Sequence, residues 1–316
     1  APLCLVLIRI VQGLGAGAEL AGAAVTSYEH AADNKKGRQG AWPALGLNLG
    51  LLLSSLTVYL LTVNGDKFLL AGGWRIPFIL SFVLVLVGLL VRGSLPETPE
   101  YHHFEESHRQ ERPFREVWKT YLKGLGVVFF VAIGYNALSY VFKTFSLAYL
   151  TQFKGISASV TSLSVTLASL VAIFTVPLFG YLCDKFSSKK LLIVGGLLSA
   201  LFAYPFMQLL GSGENRLIYL ALIVGTGVLA PMMFAPQGSF LSRQFAVQNR
   251  STGVGSGREI GTAIAGGIAP LWALSMVAQS ATRDTSAVAL MLTCSGVIVA
   301  LAAYFDQGYR FSHYKN

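Results

Sequence analysis

Nine long apolar runs, separated by short charged stretches, constrain this chain more than any other feature. They cover 3–28, 41–62, 76–92, 123–149, 159–180, 190–211, 216–240, 253–279 and 286–305. Each is close to the ~20 residues that a helix needs to cross the hydrocarbon core of a bilayer. A transmembrane barrel would show alternating segments of about ten residues, and these runs do not alternate. With 53% hydrophobic and only 12% charged residues, the chain lacks the charge to cover a soluble surface, where roughly twice that fraction is usual. Disorder is excluded by the same hydrophobicity. The expected fold class is an all-α polytopic membrane protein with about nine transmembrane helices.

The net charge of +9 invites a nucleic-acid reading until the charges are located. Lys35, Lys36 and Arg38, then Arg92 to Lys123, then Lys185, Lys189 and Lys190, then Arg243 and Arg250, then Arg310 and Lys315 fall in alternate loops. That set holds 16 of the 24 basic residues, and the opposite loops hold five. Basic loops stay in the cytoplasm. The first set is therefore expected inside, the N-terminus of this chain outside and the C-terminus cytoplasmic. No nucleic-acid partner is needed. The first run is not a signal peptide, because it lacks a basic start and contains Arg9 and Glu19. Cys4, Cys183 and Cys294 show no metal or redox spacing and are expected to be buried small apolar residues.

Three runs precede a charged stretch and six follow it. The expected division is a three-helix remnant of an N-terminal bundle over 1–92, a cytoplasmic linker over 93–122, a six-helix bundle over 123–305 and a cytoplasmic tail over 306–316. Pro96, Pro99 and Pro113 interrupt helices in the linker, and 114–118 fits a short surface helix. Six spans after a charged linker suggest the second half of a two-bundle transporter, a class built from three-helix repeats.

The motifs resemble a family. Arg9, Gln12, Gly13, Gly17 and Glu19 are similar to the R-x-x-Q-G-x-x-x-G-x-E of the fourth helix of the major facilitator superfamily, in its metabolite:proton symporter branch. That branch includes permeases for shikimate, alpha-ketoglutarate, citrate and proline-betaine. Glu29-His30-Ala31 to Gly37, Trp74-Arg75-Ile76-Pro77-Phe78 and Glu97-Thr98-Pro99 follow in the branch's order. Gly180 to Lys190, Pro236-Gln237-Gly238 and Gly266 to Pro270 continue it. On this resemblance the chain corresponds to helices four to twelve and is N-terminally truncated. It departs from the pattern at Ser187-Ser188 (usually Gly-Arg), Arg243 (usually Glu), Ala246 and Ala32 (both usually Pro).

Ionisable residues inside a membrane are functional candidates by default. Arg9 and Glu19 lie about 15 Å apart along one helix and about 80° around it, so they do not pair with each other. Gln12 shares a face with Glu19. Glu19 is expected to carry the proton, with Arg9 and Gln12 at the substrate. Asn136 and Tyr140 form a polar stripe that should face a cavity. Lys143 shares that stripe, or snorkels to the outer interface. Gln237 either offers a hydrogen bond at a broken helix or packs at the helix end. Arg258 and Glu259 point about 100° apart, are not a simple pair, and are expected to snorkel to the inner interface. Gly253, Gly257 and Gly261 form a packing strip. The resemblance implies a cytoplasmic gate of Glu29, Lys36, Asp184, Lys185 and Arg250. The GxGxxA pattern at 13–18 lies within an apolar helix and is no dinucleotide site. His102, His103 and His108 read as linker residues rather than metal ligands.

The resemblance implies a secondary transporter of a bacterial inner membrane, in multi-pass form. It is expected to be a monomer, not an enzyme, with no cofactor or metal. Its partners would be a small-molecule substrate, a proton and the lipid bilayer. The expected activity is proton-coupled symport of an organic acid or compatible solute. The alternatives are a non-transporting remnant or membrane scaffold and, within transport, a sugar or organocation porter.

Overall fold

Apolar side chains on nearly every turn favour helices whose backbone bonds close within the segment, as a bilayer requires. The computed structural model describes residues 2–62, 67–94, 113–281 and 283–306, and no strand occurs among them. The helices are α1 (Pro2–Glu29), α2 (Lys36–Gly40), α3 (Trp42–Thr62), α4 (Arg75–Gly93) and α5 (Pro113–Thr120). There follow α6 (Leu122–Gln152), α7 (Ala158–Phe186), α8 (Ser188–Gly211), α9 (Asn215–Ser242), α10 (Val247–Gln279) and α11 (Ser286–Tyr304). Eight described helices are long and apolar enough to span. The first run is helical throughout as well: α1 is one helix of 28 residues, long enough to span. Its second half is dominated by Gly and Ala and carries Glu19 and Glu29.

Two helices depart locally from α-helical geometry. α6 widens into a π-turn at Val141–Phe145 and α9 at Ile223–Leu229. α9 is also interrupted before Gln237, where Pro236 lacks a backbone N–H. Small residues bring other helices close together. A Cβ on Gly296 of α11 would lie 2.4 Å from the Gly196 carbonyl oxygen of α8. On α10 the glycine strip packs as expected. Added Cβ atoms at Gly257 and Gly261 would each lie 2.9 Å from α6, against Val128 and Ala132 respectively. Close approach of this kind replaces the hydrophobic driving force that helices lack in lipid.

Outward-facing apolar side chains are numerous. Along α4 the described residues are exposed except Pro77, which is half-buried. A bilayer is the solvent that such a helix requires. The cysteines correct one expectation: Cys183 is buried, but Cys4 and Cys294 are exposed, and all three are free thiols. On a lipid-facing surface a small apolar group needs no protein cover. The three linker histidines lie outside the described residues. Among those described, no His, Cys, Asp and Glu group is arranged to hold a metal.

Candidate functional site

A cavity of about 1160 Å³ opens between α1, α3, α6, α9 and α10. Its charged and polar wall includes Arg9, Asn136, Tyr140, Lys143, Arg258 and Glu259. The α6 stripe therefore faces the cavity, Lys143 included. Asn136 Nδ2 donates to Thr262 Oγ1 at 2.9 Å, tying α6 to α10. Beside it the Tyr135 ring stacks on Phe234, with centroids 5.1 Å apart.

Arg258 and Glu259 correct the sequence reading twice. They pair, the Arg258 guanidinium donating to the Glu259 carboxylate. They also line the cavity rather than snorkel, with side chains only 7% and 29% exposed. Neighbouring side chains diverge on a helix, but an arginine stem is long enough to curl back. The Arg258 guanidinium also sits 5.9 Å from the Phe234 ring centre. Glu259 faces α1: a Cβ on Gly17 would come within 3.2 Å of its Oε2. The signal for this pair was present in the sequence, as two opposite charges inside an apolar run.

Glu19 is the opposite case. It is exposed and is not part of the cavity wall. Gly13, Gly17, Leu20 and Arg9 of α1 face the cavity. At about 100° per residue, Glu19 lies about 200° around from Gly17. Gln12 shares the Glu19 face and reaches the cavity only through Arg9, whose Nη1 donates to Gln12 Oε1 at 3.0 Å. Gln237 lies outside the main cavity, buried in a narrow crevice beneath it with Gly40 and Gly238. Its Nε2 donates to the Met233 carbonyl at 3.3 Å.

At the end of the molecule that carries the described basic loops, three contacts join separate helices. Asp184, at the end of α7, accepts from the backbone N–H of Gly37 at 2.6 Å and of Arg38 at 3.1 Å. A carboxylate there satisfies donors that a helix start leaves open. Second, Glu29 Oε1 meets Arg250 Nη1 at 2.9 Å, with both side chains 6% exposed. Arg250 Nε also donates to the Ser242 carbonyl at 3.1 Å. The Tyr28 ring lies between two cations, 5.1 Å from Arg250 and 5.0 Å from Lys36. Third, α2 touches α9 backbone to backbone: a Cβ on Gly238 would lie 2.1 Å from the Gly40 oxygen. Lys36 pairs with Asp33 at 3.0 Å. Lys185 is exposed, its ammonium 5.6 Å from the Phe186 ring centre.

Arg243, a departure from the family pattern, has its own partner. It pairs with Asp306, just past α11, and Gln244 Nε2 donates to the same carboxylate at 2.9 Å. Lys189 Nζ caps the end of α11 through the Tyr304 carbonyl at 2.9 Å.

A helical membrane bundle around a polar cavity has the architecture of a membrane transporter, not of an enzyme. The chain belongs to the Major Facilitator Superfamily, whose sequence model matches residues 1–270 and 125–313. The shikimate transporter of Escherichia coli K12 is 29% identical over 96% of this chain and 70% of its own length. The inner membrane metabolite transport protein YhjE of the same organism is 30% identical over 85% of this chain and 63% of its own. The glycine betaine/proline/ectoine/pipecolic acid transporter OusA of Dickeya dadantii is 30% identical over 92% and 60%. The chain thus spans roughly two thirds of the length of these relatives. A crystal structure of a double-tryptophan XylE mutant shares the fold, with a TM-score of 0.63 at 17% identity over 90% of this chain and 66% of that one.

Proposed function

We propose that this chain works in proton-coupled symport of a small polar metabolite, an organic acid or a compatible solute. Transport proceeds by alternating access, in which the two halves rock around a central site. One observation carries the reading: a charged central cavity is sealed at one end by contacts between separate helices. In the proposed orientation that end is cytoplasmic, in a bacterial inner membrane, and the protein acts as a monomer. The structure is then the state closed to the cytoplasm.

Among the described residues that line the cavity, three cationic side chains, Arg9, Lys143 and Arg258, share it with one carboxylate, that of Glu259. That balance favours a substrate bearing a carboxylate. The names of the relatives, a shikimate transporter and a betaine and proline transporter, support the same choice. Because Glu259 faces the cavity and Glu19 faces away, we assign the proton to Glu259. As a neutral acid Glu259 no longer holds Arg258, which is then free to bind the substrate's carboxylate. The uptake of shikimate and glycine betaine into proteoliposomes tests this, within a wider panel of small acids and zwitterions. An imposed inward pH gradient should accelerate uptake of at least one of them. Uptake of none, with or without the gradient, would sink the assignment.

A further inference from the structure

The structure assigns a second binding site, on the membrane-facing surface, for an anionic phospholipid of the leaflet next to α5. It consists of an apolar groove for an acyl chain and a basic rim for the headgroup.

The groove lies between α6 and α11 and holds about 350 Å³. Its walls are Gly126, Val127 and Phe130 on one side and Ile298, Leu301 and Phe305 on the other. From Ile298 to Phe305 it runs about 10 Å along the helix, the length of a chain segment of several carbons. The groove is open over Gly126, where a Cβ would meet nothing within 4 Å, so a large side chain at this position would fill it. Everything that lines the groove is apolar, so its occupant is a hydrocarbon.

The rim supplies the charge. Lys123 is exposed, one turn before Gly126 on the same face of α6. Ahead of it α5 is a short helix with three distinct faces. Val117 is fully buried, and just beyond α5 Tyr121 is buried with its ring 5.8 Å from that of Phe245, so this face is fixed to the protein. Arg115 and Lys119 are exposed one turn apart, on the face opposite Val117. Between these faces lie Phe114 and Trp118, 61% and 41% exposed, with ring centroids 5.9 Å apart. An apolar aromatic edge beside a basic edge is the pattern of a helix lying in the membrane interface. Glu116 shares α5 with Arg115 and Lys119, so the rim sets three cations against one carboxylate and stays net positive. Asp306 is held by Arg243 and Gln244.

A zwitterionic lipid would fill the groove but gain little from the rim. The expected occupant is therefore a phosphatidylglycerol-like lipid, with its phosphate among Arg115, Lys119 and Lys123. In the orientation proposed above this is the cytoplasmic leaflet, but the site itself rests only on the fold.

The test uses the full chain in nanodiscs, which expose both leaflets alike, with Trp42, Trp74 and Trp272 replaced by Phe so that Trp118 reports alone. Brominated phosphatidylglycerol should quench Trp118 severalfold more than brominated phosphatidylcholine at equal mole fraction. The triple variant Arg115→Gln, Lys119→Gln, Lys123→Gln should lose that preference. In native mass spectrometry, Gly126→Leu should lower the number of phosphatidylglycerol molecules retained while the protein stays folded. Equal quenching by the two lipids, a preference that survives the triple variant, or lipid retention unchanged by Gly126→Leu would each overturn the site. A dimer that dissociates on Gly126→Leu would also overturn it, in favour of a groove sealed by a second copy. None of these readouts depends on transport, so their failure and that of the symport reading are separate.

Discussion

Ser187 joins α7 to α8 at φ 99° and ψ 134°, a region that only glycine enters without strain. Holding a residue with a Cβ there costs about 1–3 kcal/mol. The family pattern usually has Gly at this position, so Ser187 is a residue-level cost that this chain carries. Ser187→Gly should raise the thermal unfolding midpoint in detergent by a few degrees, and an unchanged or lower midpoint would show that the turn is not strained. Glu259 makes a second prediction at this scale. If Glu259 carries the proton, Glu259→Gln should lose the acceleration of uptake by an inward pH gradient while still exchanging a carboxylate substrate across the membrane. Gradient-driven uptake that persists in Glu259→Gln would return the proton role to another group.

α2 shows what one element requires from its neighbours. It has five residues and receives no side-chain cap from its own N-cap, Lys35. A helix this short is not stable alone, and Asp184 of α7 supplies the missing acceptors. Charge-assisted bonds of this kind are worth about 1.5–3 kcal/mol each. Asp184→Ala should therefore loosen α2 from α7 and uncover Cys183, which is only 5% exposed and lies against Gly37. Thiol labelling of Cys183 should speed up at least about tenfold, while a rate equal to the parent's would mean that α2 is held by packing alone. That Asp184 could accept from backbone N–H groups at a helix start was readable from a carboxylate at a helix end, whereas its part in a gate came from the family resemblance. The faces of α1 were not readable. Its Gly and Ala residues mark no apolar side, so the sequence alone did not show that Gly17, rather than Glu19, would meet α10. The spans themselves were legible because bilayer thickness sets their length.

For the whole molecule the question is what would hold the basic end shut in the proposed cycle. The Glu29–Arg250 pair links α1 to α10 and is almost fully buried, so its value depends on the closed state. Breaking such a pair from one side leaves a buried charge without its partner, at a cost of about 3–5 kcal/mol. Opening that end to water removes the cost, because either group is then solvated. Arg250→Glu should therefore shift the equilibrium toward the state open at the basic end by two or more orders of magnitude, at about 1.4 kcal/mol per tenfold. Ala44, buried and lining the crevice behind the seal, gives the readout. In a background freed of Cys4, Cys183 and Cys294, Ala44→Cys should be labelled much faster when Arg250→Glu is added. The reciprocal exchange Glu29→Arg with Arg250→Glu restores opposite charges across the same gap and should slow labelling again. Rescue by the double exchange separates a charge lock from simple loss of packing, since a disrupted fold would stay open whichever way the charges run. If Arg250→Glu leaves Ala44→Cys as protected as before, the backbone contact between Gly40 and Gly238, with Asp184 on α2, closes the molecule without the ion pair.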